Sequence, residues 1–215
     1  MKCGKILILL GFGLLLVFCS SDKAKRIYFP STKEKQANKT LTKEELKVRE
    51  PSGKFFSQSW NWVYLLEDGS LGWVQFVQAR IIYSNNNLIV QHSYYSPKGE
   101  VFYKKEVLPI TELKWDGLEP RISMGRHYWA GFYPEFKLFS PLLELETNLT
   151  FESPNSGFRA WSGAVHFGSE KGEWYESLIV FPDAKLSGVI KIQHWEKRVS
   201  GFGVLEYEAR TIPFS

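Results

Sequence analysis

The stretch from Gln58 to Ser84 constrains the fold most, because it is rich in aromatic and β-branched residues on both sides of one short turn. Asp68 and Gly69 form that turn, and this pair is typical of a two-residue β-hairpin loop. The stretch therefore predicts two antiparallel strands.

The clearest alternation in the chain runs from Leu142 to Glu152. In a half-buried strand, successive side chains point to opposite faces of the sheet. One face of this run is apolar, with Leu143, Leu145, Thr147, Leu149 and Phe151. The other is polar, with Glu144, Glu146, Asn148, Thr150 and Glu152.

Other strand-like runs follow the same pattern, and Gly, Pro and Asn turns separate most of them. They are Leu88–Ser96, Val101–Lys114, His127–Leu138, Trp161–Gly168, Trp174–Phe181, Gly188–Trp195 and Arg198–Arg210. Residues 120–134, with Arg121 and Arg126, are predicted to be a loop over a barrel mouth. No stretch after Phe55 has a helical period.

The predicted fold class is therefore all-β. About nine or ten antiparallel strands form either a lipocalin-like barrel or a strongly curved sandwich. Closure into a barrel removes the exposed strand edges. Aromatic residues make up 16% of the chain. They either pack a core of paired strands or line a cavity for an apolar or flat ligand.

The amino terminus has the pattern of a secretory signal. Lys2 and Lys5 precede the apolar run Ile6–Phe18, which at 13 residues is short for a membrane span of about 20. Leu16-Val17-Phe18-Cys19-Ser20 resembles a bacterial lipobox, although a small residue is usual where Phe18 stands. The resemblance implies lipidation of Cys19 and anchoring in the cell envelope, in the outer membrane or on the cell surface. The alternatives are an uncleaved anchor or an ordinary signal with an incidental cysteine.

Residues 20–54 are polar and basic, with ten Lys or Arg against five Asp or Glu. Such a segment cannot bury enough apolar surface to fold alone. It is predicted to be a plain linker or a tether that touches anionic headgroups. Thr42 and Glu45 form a capping-box pattern, which predicts a helical turn over Lys43–Arg49. The predicted domains are a signal segment at 1–19, this basic polar tether at 20–54 and the barrel at 55–215.

Several classes of function lack their usual residues. The net charge of +4 is too small to indicate nucleic-acid binding. Both cysteines lie in the first 19 residues, so the folded part has no cysteine for a disulfide or a metal. Four scattered histidines, His92, His127, His166 and His194, have no metal-ligand spacing. We expect neither a metal nor a cofactor.

Catalytic motifs such as a nucleophile elbow, a phosphate-binding loop or a His-Glu-x-x-His segment are absent from the sequence. Glu206 and Glu208 share one face of the last predicted strand. Paired carboxylates perform acid–base chemistry when their pKa values are pushed apart. Because they alternate with Leu205 and Tyr207, a solvent-facing strand side is the simpler interpretation.

Two segments suggest a family. Leu66-Glu-Asp-Gly-Ser-Leu-Gly-Trp-Val-Gln-Phe76 and Gly201-Phe-Gly-Val-Leu-Glu206 resemble segments of the lipocalin-like proteins grouped with AttH, yeast survival factor and the carotenoid 1,2-hydratases. The resemblance implies one calycin-type barrel that handles lipids, carotenoids or other terpenoids. A His-Asn-Trp-Gly cluster of the family is replaced by Tyr207, Glu208, Ala209 and Arg210, which puts a shared activity in doubt.

Three functions fit these observations. The first is a membrane-anchored lipoprotein whose barrel binds or carries a hydrophobic ligand, a lipid or an isoprenoid. The second is a filled barrel that acts as a structural or host-contact surface protein. The third is a cofactor-free hydratase, isomerase or cyclase on a terpenoid-like substrate, with Glu206 as acid and His127 or Tyr207 as its partner. The predicted ligand-binding residues are Trp60, Trp62, Trp73, Phe76, Tyr94, Trp129 and Phe132.

Overall fold

The protein is an all-β barrel. The structure, a computed structural model, describes residues 27–28, 40–51, 55–80, 87–159, 163–169 and 171–212. The signal segment and Cys19 lie outside these residues. Within the described part of the chain, no helix has the length and hydropathy needed to cross a membrane.

The described residues contain fourteen strands and two short 3-10 turns. The turns are Lys43–Leu46 and Ile110–Glu112. The strands are β1 (Ile27–Tyr28), β2 (Ser57–Leu66), β3 (Leu71–Ala79), β4 (Asn87–Tyr95), β5 (Val101–Pro109), β6 (Leu113–Asp116), β7 (Arg121–Met124), β8 (His127–Phe132), β9 (Glu135–Leu142), β10 (Leu145–Glu152), β11 (Phe158–Arg159), β12 (Val165–Phe167), β13 (Glu173–Ile192) and β14 (Trp195–Arg210).

Eleven strands follow one another around a single antiparallel sheet that nearly closes into a barrel. Their order is β5-β4-β3-β2-β14-β13-β10-β9-β8-β7-β6. The short strands β11 and β12 pair with β13, and β1 pairs with β12. The order confirms the predicted antiparallel barrel, with more strands than expected.

The gap in the barrel lies between β5 and β6, which are consecutive in the chain. Side chains bridge it: Glu106 of β5 lies 2.8 Å from His127 of β8 and 3.3 Å from Arg126. Lys104 of β5 also pairs with Glu144 in the β9–β10 turn. The last step of closure is therefore made by charged side chains instead of a backbone ladder.

Some predicted boundaries were wrong. The loop predicted at 120–134 contains β7 and β8. The run predicted from Leu142 starts as a strand only at Leu145, and Leu143 is 76% exposed in the turn before it. Trp174–Phe181 and Gly188 onward belong to the single strand β13, which stays continuous through register shifts between Ile179 and Ala184.

The barrel interior depends on close approach at one glycine. Gly72 of β3 faces Tyr64 of β2, and a Cβ built on Gly72 would lie only 1.9 Å from the Tyr64 ring. The ring has little room to move because it is fully buried and Tyr64 Oη lies 2.7 Å from His92 Nε2. A side chain on β3 at this position would therefore displace a fixed ring.

We expect Gly72→Ala to lower the free energy of unfolding by about 1–3 kcal/mol, the usual cost of overpacking a core. Urea unfolding followed by tryptophan fluorescence measures it. Gly117→Ala is the control, since a Cβ there meets its nearest atom at 3.4 Å. Equal stability of the two variants would contradict this account of the interior.

Candidate functional site

The centre of the barrel holds a column of fully buried aromatic rings. Because side chains alternate along each strand, β2, β3, β8, β9, β10, β13 and β14 each direct one set of side chains inward. We call this set the aromatic column; its members are Trp60, Trp62, Phe76, Trp129, Phe136, Phe151, Phe181 and Tyr207, each at most 1% exposed.

The rings of the column contact one another across the barrel. Trp129 on one wall lies 6.4 Å from Trp60 and 6.1 Å from Trp62 on the other, measured between ring centroids. Phe151 and Phe181 lie 4.9 and 5.5 Å from Trp62. The rings meet at tilted angles, which suits their electrostatics better than face-to-face stacking.

A layer of polar side chains, Tyr64, His92 and Thr147, lies next to the aromatic column at one end of the barrel. His92 Nε2 lies 2.7 Å from Tyr64 Oη, and His92 Nδ1 lies 3.2 Å from Thr147 Oγ1. Burial lowers the pKa of His92 to about 3, so its imidazole is neutral at physiological pH. Burial also raises the pKa of Tyr64. Both groups therefore act as neutral hydrogen-bonding partners.

A second buried histidine, His127, lies between an acid and a hydroxyl. Burial opposes ionisation of Glu106, but hydrogen bonds and charges from His127 and Arg126 outweigh it and lower the pKa of Glu106. Burial lowers the pKa of His127, and Glu106 only partly offsets this. Neutral His127 therefore donates its Nε2–H to Glu106 at 2.8 Å and accepts from Ser140 Oγ at Nδ1, at 3.1 Å.

Residues 40–51 pack against the end of the barrel opposite the polar layer of Tyr64 and His92. We call these residues the N-terminal plug. Leu41 and Leu46 are buried in the main core cluster. Thr42 donates its backbone N–H to Glu45 Oε2 at 2.7 Å, and this confirms the predicted capping box, here on the 3-10 turn Lys43–Leu46. The packed unit thus includes part of the segment predicted to be a tether.

A buried carboxylate fastens the plug. Glu176 of β13 shares the inward face with Leu178, and its side chain is only 2% exposed. Arg49 of the plug and Arg159 of β11 both contact it, and Arg159 also pairs with Glu45 of the plug at 2.7 Å. A buried charge requires such partners.

Hydrogen bonds join the plug to side chains near the ends of β2 and β3. Gln58 of β2 donates its Nε2–H to the Arg49 carbonyl at 2.9 Å, and its Oε1 accepts from the Arg49 backbone N–H at 3.0 Å. Gln58 also donates to Gln78 of β3. Tyr207 donates to Gln58 Oε1 at 3.1 Å, and burial raises the pKa of Tyr207 to about 12, so it remains a donor. The plug therefore abuts the aromatic column through Tyr207.

The predicted ligand-binding residues lie in four places. Trp60, Trp62, Phe76 and Trp129 belong to the aromatic column. Tyr94 is buried beyond the polar layer and donates to Ser70 Oγ at 2.8 Å. Phe132 is half-buried beside the plug, with Lys43 Nζ 5.9 Å from its ring centre. Trp73 is 37% exposed on the outer face, so it lines no interior site.

A one-residue difference in the register between β2 and β3 explains why Trp73 lies on the outer face. A two-residue loop at Asp68-Gly69 would place Trp73 opposite Tyr64, on the inner face. The observed ladder pairs Leu65 with Leu71 and therefore Trp73 with Val63, on the outer face. Because side chains alternate, a shift of one residue moves a whole strand to the other face.

Glu206 does not face the interior either. It lies on the outer face of β14, between the inward residues Leu205 and Tyr207. Ser177 donates a hydrogen bond to it at 2.9 Å. Burial and the charge of Glu208 raise the pKa of Glu206 to about 7. The acid proposed for the enzymatic alternative is therefore separated by the sheet from Tyr207 and His127.

Sequence reasoning missed the interior acids. Glu176 could have been found from its shared parity with Leu178, but its partner Arg49 lies 127 residues away in the chain. No sequence pattern indicates that Glu106 and Ser140 contact His127, because only the folded barrel brings the three side chains together. Among the described residues, no group of three or more His, Cys, Asp or Glu side chains is placed to hold a metal ion.

Solved structures similar to this fold include an AttH-type protein and CghA. A protein of Nitrosomonas europaea described as an AttH aligns with a TM-score of 0.57 and 10% identity, over 75% of this chain and 53% of that one. CghA solved with Sch210972 aligns with a TM-score of 0.52 and 14% identity, over 72% of this chain and 46% of CghA. A further CghA structure gives a TM-score of 0.51.

These likenesses show a lipocalin-like barrel and confirm the resemblance to AttH-type proteins at the level of the fold. The chain spans about half the length of the solved structures that it matches. No protein-family model and no curated protein matches the sequence.

We expect Glu176→Gln to lower the free energy of unfolding by about 2–4 kcal/mol, because it leaves Arg49 and Arg159 without their buried counter-charge. The partial exposure of both arginines reduces the cost. Urea unfolding measures it. Glu146→Gln, which breaks a surface pair with Lys191, is the control and should match the unaltered protein. Equal effects of the two substitutions would refute the role of Glu176.

Glu206 makes stability depend on pH. The folded carboxyl titrates near 7 and the unfolded one near 4.5, so the folded state holds the proton more tightly. Stability therefore falls as pH rises from about 4.5 to 7. Glu206→Gln should raise the urea midpoint relative to the unaltered protein at pH 8 and have little effect at pH 4.5. A difference that is the same at both pH values would show that Glu206 titrates normally.

Proposed function

We propose that the barrel binds an apolar small molecule against the aromatic column, and that the molecule enters through the end closed by the N-terminal plug. The observation that carries this proposal is the plug itself. At this end, a short segment held by polar contacts and by the buried side chains of Leu41 and Leu46 lies next to Tyr207 of the column. Such a segment can move without breaking the strand ladders.

The chemistry of the interior supports an apolar, flat ligand. The column supplies eight buried aromatic rings from seven strands, and binding pockets for small molecules are mostly lined by apolar and aromatic side chains. CghA, a similar barrel, has been solved with the small molecule Sch210972. The same rings also pack against one another, and this packing favours the alternative of a filled barrel with a structural or host-contact role.

The sequence adds a location to this proposal. Lipidation of Cys19 would hold the barrel at a membrane of the cell envelope, where apolar molecules partition. Seven residues, from 20 to 26, lie between Cys19 and β1, which pairs with β12 of the barrel. Fully extended, they reach roughly 23 Å, since each residue spans about 3.3 Å. The barrel would then collect its ligand close to the bilayer.

Binding of N-phenyl-1-naphthylamine, whose fluorescence rises in apolar surroundings, tests the proposal. We expect saturable binding of one probe per chain. Arg49→Ala should make association about three- to tenfold faster, because opening of a closing segment limits entry. Lys47→Ala is the matched control, since it removes an exposed cation from the same plug. Its association rate should stay unchanged.

Absence of saturable binding to the unaltered protein and to Arg49→Ala would leave the filled barrel as the function. Saturable binding with equal rates in all three proteins would place the entrance elsewhere.

A further inference from the structure

We propose that the ligand carries a neutral carbonyl group, and that its oxygen accepts hydrogen bonds from the indole N–H groups of Trp60, Trp62 and Trp129. The inference rests on the proposed function, because it names the chemical class of the molecule bound by the aromatic column.

The three indoles are buried donors without acceptors. Each side chain is 0% exposed, and each Nε1 atom is shielded from solvent with no hydrogen-bond partner. Among the described residues, these are the buried side-chain donors left unpaired. Two of them are on β2 and the third faces them across the barrel, with ring centres 6.1 to 6.4 Å apart. The unpaired donors therefore belong to neighbouring rings of the column.

Three unpaired donors in one core are unusual. An N–H group removed from water without a new acceptor loses its hydration and gains nothing, and protein interiors leave few such groups. The other buried polar rings near the column follow that rule. Tyr64, Tyr94 and Tyr207 each place their hydroxyl within hydrogen-bonding distance of a partner. The three indole N–H groups, unlike these hydroxyls, therefore lack a hydrogen-bond acceptor.

The chemistry of indole defines the missing partner. An indole N–H donates and does not accept, so the partner must supply an acceptor. The neighbouring side chains Phe151, Phe181 and Phe76 are apolar, so the acceptor must be part of an otherwise apolar molecule. The cations of the plug end, Arg49 and Arg159, are already paired with Glu176. A carboxylate buried at the column would lack a counter-charge, which favours a neutral ketone, aldehyde, ester or amide.

Two probes of matched shape test the inference. 2-Acetylnaphthalene and 2-ethylnaphthalene differ by a carbonyl oxygen in place of two hydrogens. We expect the ketone to bind about five- to tenfold more tightly, as one or two hydrogen bonds to buried donors would provide. In ¹H–¹⁵N spectra, the ketone should move the indole proton signals of Trp60, Trp62 or Trp129 downfield. The signal of Trp73, on the outer face, should not move.

The outcomes distinguish the carbonyl inference from the proposed binding of an apolar molecule. Equal affinity for both probes, without movement of the buried indole signals, would overturn the carbonyl inference and leave the proposed function standing. Binding of neither probe would refute both. Indole signals already far downfield in the ligand-free protein would show that enclosed water satisfies the donors, and would also overturn the inference.

A substitution provides a second check. Trp129→Phe removes one donor and keeps a ring, so the preference for the ketone should fall to about threefold or less. Trp73→Phe is the control and should retain the full preference. If both variants retain it, Trp129 does not donate to the carbonyl. If Trp129→Phe fails to fold, the indole shifts of the unaltered protein still decide the question.

Discussion

The structure depends on the burial of one face of a long antiparallel sheet. The strands β2, β3, β4, β9, β10 and β14 carry buried apolar side chains on one face, and a flat sheet would leave those side chains in water. Curling the sheet around the aromatic column buries them together, at roughly 25 cal/mol for each Å² of apolar surface removed from water. Trp60, Trp62 and Trp129 are fully buried as a result. The twist and stagger of a barrel follow from this constraint.

Two glycines of β14 allow close packing between this strand and its neighbours. A Cβ on Gly203 would lie 2.5 Å from the Phe151 ring, and one on Gly201 would lie 2.1 Å from the Leu65 carbonyl oxygen. These are the glycines on which the resemblance to AttH-type proteins depended. Their structural role is to let β14 approach its neighbours closely. The segment from Gly201 to Glu206 therefore reflects how this barrel is packed.

The sequence predicted the architecture well, because alternation is a local property. The hairpin around Asp68 and Gly69 and the inward face of β10 were both evident from residue type. The register of β3 was not, since a loop longer by one residue turned Trp73 outward and Phe76 inward. Interior charges could not be predicted either. Glu176 tolerates burial only because Arg49 and Arg159 come to it from distant parts of the chain.

The central claim is that this barrel holds an apolar molecule in its interior. Organic extraction of the purified protein, followed by mass spectrometry and quantification per chain, tests it most directly. The account predicts one dominant apolar compound, near one molecule per chain, that carries a carbonyl group. An extract that contains only traces of mixed membrane lipids, from protein that also fails to take up added apolar probes, would contradict it.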